Sequence, residues 1–401
     1  MTVMASATIA PMLPRMADAF QDTPDVEFLS KLVLTMPALV ITLWAPFAGA
    51  VIDRFGRTRF LRANLLLYAL AGASGFVLSD LHHILIGRAF LGLAVAAVMT
   101  CVQALAGDYF VGPVRTRYVS IQSMFMSGGG LIFVTLGGLL AEVSWRAPFL
   151  VYLLALVSLV LVVIYLDEPV RAPPPRRDPA DAGVATTASV WRSLPWSGIA
   201  TVYSMQFFAM TMYYVVSTQL PFYLREIGVH SSLMAGLAIA CASGVSMLST
   251  LRFARLLRAT SHVTVYAMGF SLMAAGFLFI SLASGTPSVM LGASVTGLGM
   301  GLVFPNGSTW MLSLADPRVR GRLAGGLAAA IFLGQFTSPI IAEPFAARFG
   351  LSHLYFGGGV VLFAVAAGLA FLRLRQVREQ VAGNSMAEPA GAPIVVEESP
   401  R

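Results

Sequence analysis

Apolar positions in this chain fill long continuous runs separated by short polar interruptions, with little of the one-sided striping of soluble helices. A helix rises about 1.5 Å per residue, so about 20 predominantly apolar residues cross roughly 30 Å of hydrocarbon. Eleven segments meet that length, near 28–52, 60–79, 84–107, 119–141, 147–166, 197–222, 232–251, 263–283, 288–314, 323–345 and 352–373. Residues 1–19, ahead of Asp18, Asp22, Asp25 and Glu27, look like the outer part of one more span. The roughly 14 residues before Arg15 reach only about 21 Å, so this first span is expected to lack its opening turns. A short tilted helix in a thinned bilayer is the alternative. The stretch EPVRAPPPRRDPADAGVATTASVWRS is proline-rich and has no helical apolar period, which predicts a linker. The expected organisation is a six-helix bundle over 1–166, a cytoplasmic linker over 167–196, a second six-helix bundle over 197–374 and a disordered tail over 375–401.

Composition agrees with an all-α membrane protein. Hydrophobic residues make up 57% and charged residues 11%, against about 45–50% and about 25% in soluble domains. The formal charge of +7 could suggest nucleic acid, but the arginines form small clusters between apolar runs, so no nucleic-acid partner is expected. With alternating loops, twenty basic residues fall on one face and five on the other, with Arg88 left inside a span. The positive-inside rule makes the arginine-rich face cytoplasmic, together with the C-terminus. Cys101 and Cys241 sit in apolar runs without ligand spacing, which predicts no disulfide and no metal. Lys31 is the sole lysine and follows Ser30, so no Gly-Lys-Ser/Thr phosphate loop exists. Neither His-Glu-x-x-His nor Gly-x-Ser-x-Gly occurs. No enzyme activity and no cofactor are expected.

A shift of 205 residues superposes Gly87 on Gly292, Gly92 on Gly297, Arg115 on Arg320, Arg117 on Arg322 and Gly129 on Gly334. Six-span repeats of this kind are a transporter arrangement, with the substrate site near mid-bilayer between the halves.

The loop GAVIDRFGRTRF, residues 49–60, carries Gly49, Asp53, Arg54, Gly56, Arg57 and Arg59 in the spacing Gly-x-x-x-Asp-Arg-x-Gly-Arg-x-Arg. It resembles the signature between the second and third spans of the major facilitator superfamily. IGRAFLGLAVAA (86–97) is similar to the family's fourth-span Arg-x-x-x-Gly motif, and FARLLR (253–258) is a weaker echo in the second half. The resemblance covers roughly residues 5–375 and points to the drug and metabolite efflux branch in a bacterial inner membrane. It implies two six-helix bundles related by a pseudo-two-fold axis. It also implies that the loop is a cytoplasmic gate, made of Gly49, Asp53, Arg54, Gly56 and Arg57 with Asp108 as a third charged member. The residue types suit that role: Gly56 permits a tight reversal, and Asp53 lies one helical turn from Arg57. The alternative is an ordinary solvated loop. Drug-proton antiporters of the family carry Gly-x-x-x-Gly-Pro-x-x-Gly-Gly in the fifth span. Here GGLIFVTLGG (129–138) keeps Gly129, Gly137 and Gly138 but has Phe133 and Val134 at the Gly-Pro positions.

An arginine inside a span is a functional expectation by default, with snorkelling beside His82 and His83 as the alternative for Arg88. Every acidic residue lies in a loop, a tail or near a span end. Arg88 and Asp108 are therefore the candidates for proton coupling, ahead of a carboxylate before the present start or uncoupled facilitation. Tyr203, Gln206, Met210 and Tyr213 recur at helical spacing and, with Gln103, Asn306 and Gln335, are the candidate substrate cavity. Interhelical hydrogen bonding is the alternative for each. Nineteen methionines and 26 phenylalanines give a soft apolar lining. The sequence reading is thus a monomeric, proton-coupled secondary transporter exporting small hydrophobic or amphipathic compounds. Uptake of a small neutral metabolite and a non-transporting sensor of the same fold are its alternatives.

Overall fold

The computed structural model describes residues 4–110, 112–166, 191–316 and 319–387. The side chains of 46, 49–51, 53–55 and 376–387, and several over 112–127, fall outside that description, as do the expected linker between 167 and 190 and the tail after 387. All described secondary structure is helical.

The first segment is broken: α1 (Met4–Ala7), a 3-10 turn (Ala10–Met12) and α2 (Leu13–Ala19). Pro11 and Pro14 cause the break, since neither has an N–H to continue the ladder. Its residues are nevertheless buried from Thr8 to Pro14, so it fills the position of a span. There follow α3 (Val26–Phe55), α4 (Arg57–Ala73), α5 (Leu81–Tyr109), α6 (Gly112–Val143) and a 3-10 stretch, Ala147–Leu153, leading into α7 (Leu154–Tyr165). The second half holds α8 (Trp196–Glu226), α9 (Ser232–Ala259), α10 (His262–Ser281), α11 (Thr286–Leu314), α12 (Arg320–Phe349) and α13 (Leu351–Ala387). Among the described residues, nine helices are long and apolar enough to cross a membrane, and Gly128–Val143 is a shorter apolar stretch. Helix α13 continues to Ala387, past residue 375, because LRQVREQ is rich in strong helix formers.

Local chemistry explains two helix boundaries. Gly56 separates α3 from α4 at φ 89°, a left-handed value that residues with a Cβ avoid, and its N–H still donates to Ile52 O at 3.1 Å. Asp80 caps α5 by accepting from the N–H groups of His82 (2.8 Å) and His83 (3.0 Å). Those two backbone bonds, His83 first, hold its carboxyl below the usual carboxylate range.

Packing repeats between the halves. Helices α3 and α4 lie on α5 as α9 and α10 lie on α11, the first segment lies on α6 as α8 lies on α12, and across the middle α6 meets α9 while α3 meets α12. The shift of 205 reaches individual contacts. A Cβ on Gly92 would strike the backbone of Pro37, and one on Gly297 would strike the backbone of Ala242. Gly87 approaches the carbonyl of Ala71, and Gly292 approaches that of Gly276. Pro37 and Ala242, like Ala71 and Gly276, are themselves 205 residues apart. Close helix approach without a side chain is what each glycine supplies. The fold is all-α, two bundles related by a pseudo-two-fold axis.

Candidate functional site between the two halves

The halves are joined at the arginine-poor face. Glu142 at the end of α6 accepts from Ser231 Oγ (2.7 Å) and Leu233 N (3.0 Å) at the start of α9. Arg225 of α8 reaches back to Asp18 (2.6 Å) and lies 3.7 Å from Glu27. Gly138 abuts the backbone of Ser232. Deeper in this seam Lys31, 1% exposed, places Nζ 2.5 Å from Glu343 Oε2, 3.8 Å from Glu27 Oε2 and 4.4 Å from the centroid of the Phe222 ring. Gln219 Nε2 donates to the same Glu343 oxygen at 3.1 Å.

Below the seam both halves line a cavity of about 110 Å³. Ser6, Tyr213, Tyr214, Ser217 and Ser243 bring hydroxyl-bearing side chains to its lining, Leu34, Val134 and Ile239 supply apolar wall, and no charged side chain lines it. Ser6 Oγ and Tyr214 Oη are 3.2 Å apart and link the halves there. Toward the arginine-rich face α6 and α12 have open space beside them. A Cβ on Gly128 or Gly325 would meet nothing within 4 Å, and Phe47, Phe125 and Leu251 are exposed. The first half presents a cavity of about 280 Å³ lined by Met99, Phe125, Met126, Phe133, Gln103 and Gln122.

The residues singled out from the sequence disperse. Tyr213 lines the joint cavity and Gln103 the larger one. Tyr203 donates to Leu323 O at 2.6 Å and ties α8 to α12. Gln206, fully buried, donates to Phe304 O at 3.0 Å. Asn306 is fully buried as well, donating to His262 O at 2.9 Å with Oδ1 2.8 Å from His262 Nδ1. Met210 and Gln335 are buried within the second half. Tyr203, Gln206 and Asn306 thus each make an interhelical hydrogen bond.

At the arginine-rich face Arg57 forms an ion pair with Asp108 and donates to Ala104 O at 3.1 Å, which binds the start of α4 to the end of α5. Gly49, Asp53 and Arg54 are in α3, but the side chains of Asp53 and Arg54 lie outside the described residues. Arg88 is 1% exposed and does not snorkel: Nε donates to Val33 O (3.0 Å), Nη2 to Ala5 O, and the guanidinium lies 5.1 Å from the centroid of the Tyr152 ring. Twenty residues along one helix separate it from Asp108, about 30 Å, so these two are not brought together.

Sequence reasoning missed Lys31, Glu343 and Gln219. Charge counting places Lys31 with the five basic residues of the arginine-poor face and Glu343 with the acidic residues near span ends. The signal available was the only lysine in an apolar run and a carboxylate followed directly by Pro344.

A sequence model described as the Major Facilitator Superfamily matches residues 1–262 and 231–396. The chain is 25% identical over 308 residues to the 3-(3-hydroxy-phenyl)propionate transporter of Escherichia coli (strain K12), covering 73% of this chain and 72% of that one. It is 24% identical over 382 residues to the tetracycline resistance protein, class H, of Pasteurella multocida, covering 92% of each. Its fold resembles the crystal structure of a bacterial homolog to the human lysosomal transporter Spinster, with TM-score 0.72 at 14% identity, over 93% of this chain and 95% of that one.

Proposed function

The chain belongs to the major facilitator superfamily, and from that premise we propose that this transporter exports uncharged aromatic or amphipathic molecules in exchange for protons. The observation that carries the reading is the joint cavity: five hydroxyl-bearing residues from both halves, apolar wall between them, and no charge. Such a lining hydrogen-bonds a phenol, amide or ether and offers nothing to offset a carboxylate or phosphate. The methionine- and phenylalanine-rich cavity below it suits ligands of varied shape.

In this reading the arginine-rich face is cytoplasmic, so the structure corresponds to the state that loads from the cell interior. Gly56 and the Arg57–Asp108 pair form part of the gate that closes that face, with Asp53 and Arg54 beside them. Arg88 belongs to the rigid frame of the first bundle. Both walls of the cavity come from one chain, which supports a monomer, and the arginine bias of the loops supports a bacterial inner membrane with a cytoplasmic C-terminus. Uptake of a small neutral metabolite, the second reading, uses the same cavity in the opposite direction; the similarity to a transporter named for a hydroxyphenyl propionate fits the phenol-binding lining but names no direction.

Everted membrane vesicles with an acid lumen test the proposal. The neutral dye Nile red accumulates in the lumen, a carboxylated fluorophore of similar size does not, and Tyr213→Phe slows accumulation several-fold. Preferential movement of the anion overturns the substrate class, and movement of Nile red out of the lumen overturns the direction.

A further inference from the structure

Alternating access requires the seam at the arginine-poor face to part, and its most buried contact is ionic. Lys31 belongs to the first half, and Glu343 and Gln219 to the second. Nothing else in the seam combines a fully buried ammonium with a carboxylate at 2.5 Å. We propose that Glu343 is the proton-binding group of this carrier, and that Lys31 couples its protonation to the opening of the arginine-poor face. The inference rests on the proton exchange proposed above.

The argument follows from the cost of stranding charge. While Glu343 is ionised, parting the halves pulls a partly buried anion, 16% exposed, from a fully buried ammonium, and the ammonium gains nothing until water reaches it. A protonated Glu343 has no such attraction to lose, so a proton on it eases parting. In the reverse step, closure brings the Lys31 ammonium onto Oε2, and the proton leaves to water. One oxygen thus serves two ligands in turn, a proton when the face is open and Lys31 when it is shut. Gln219 holds that oxygen in either state, while its own Oε1 is buried without a partner. Pro344 directly after Glu343, and Pro221 two residues after Gln219, interrupt the backbone ladders beside the pair, where helices bend most readily.

The surrounding charges leave this role to Glu343. From α3 come Lys31 and Glu27, and Glu27 is shared with Arg225. From α8 come Arg225, engaged with Asp18, and Tyr223, which donates to Ala283 O; Glu226 closes that helix. From α13 come Tyr355, which donates to Val215 O, and the exposed His353. Helix α11 has no titratable side chain, and α12 itself adds the exposed Arg348 near its end.

The test uses the full chain in lipid nanodiscs, with Cys101→Ala and Cys241→Ala, and nitroxide labels at Gln21→Cys and Ser284→Cys. Both label sites are exposed, one on each half of the arginine-poor face. Pulsed dipolar spectroscopy then reads the separation against pH, with the proton as the only ligand. In the parent chain, acid shifts population from the short to the long distance, by about tenfold per pH unit at most for one proton. Glu343→Gln removes that response and leaves the long distance populated at every pH. Lys31→Met inverts it, because a partly buried carboxylate without its cation is relieved either by opening or by a proton, so acid now shortens the distance. A parent response that survives unchanged in Glu343→Gln overturns the assignment and leaves proton exchange standing, carried by Asp18 or Glu142. A parent distance that ignores pH overturns proton exchange itself, and this inference with it.

Discussion

Among the described residues two side chains carry buried positive charge, Arg88 and Lys31, each 1% exposed, and the molecule answers them differently. Arg88 lies inside the first bundle, donating to backbone carbonyls of α1 and α3. Lys31 lies on the boundary, facing a carboxylate of the other half. Carbonyl oxygens solvate a guanidinium without carrying a charge of their own, so the Arg88 contacts do not depend on pH and join helices of one bundle. A carboxylate can be neutralised by a proton as well as by a cation. The first region is built as a fixed clamp, and the second as a contact that protonation can release.

The largest expected effect belongs to the clamp. Arg88→Ala leaves a cavity and two carbonyls without their charged donor, and is expected to lower stability by about 3–5 kcal/mol. Thermal unfolding in detergent reads this, and Arg88→Lys should recover part of the loss. Recovery by a neutral residue of similar volume, such as Met, shows instead that packing and not charge is the role.

Next comes the boundary pair. Glu343→Gln strands the buried Lys31 ammonium, a change that costs about 3–5 kcal/mol when the charge has no escape, and Lys31→Met strands the partly exposed carboxylate at a smaller cost. The double variant should be more stable than the sum of the singles predicts, by about 2 kcal/mol. Denaturant unfolding of the four proteins in mixed micelles gives this coupling. Additive singles would place Lys31 in the same category as Arg88 and remove the contrast.

The smallest change sharpens the clamp. Tyr152 donates to Ala5 O at 2.9 Å, the same carbonyl that Arg88 uses. Tyr152→Phe keeps the ring beneath the guanidinium and deletes one hydrogen bond, for an expected loss of about 1 kcal/mol. Its pH dependence should match that of the parent chain, since no titrating partner is removed.

Legibility from sequence followed physical range. The spans were readable because each is set by a local run of apolar residues, and the glycine repeat because close helix approach tolerates no side chain. Helix α4 and the first segment were harder, since Arg57, Arg59 and Arg62 open one and two prolines break the other. The stripe Tyr203, Gln206, Met210, Tyr213 is a real helical face, yet only Tyr213 reaches the joint cavity, because α11 and α12 cover the remainder with backbone acceptors at Phe304 and Leu323. Spacing identifies a face of a helix; it does not say which neighbour that face meets.

The amino-acid order alone determined that this chain is a bundle of apolar helices, that its basic loops share one face, and that its halves repeat at 205 residues. Those properties arise from transfer of side chains into hydrocarbon and from hydrogen bonds within a helix, both of which act over a few residues. Tertiary structure alone decided that Lys31 meets Glu343 across 312 residues of sequence and that Arg88 meets Ala5 across 83. Which partner a buried charge finds depends on how whole helices rotate and tilt against each other, and no local pattern records that choice.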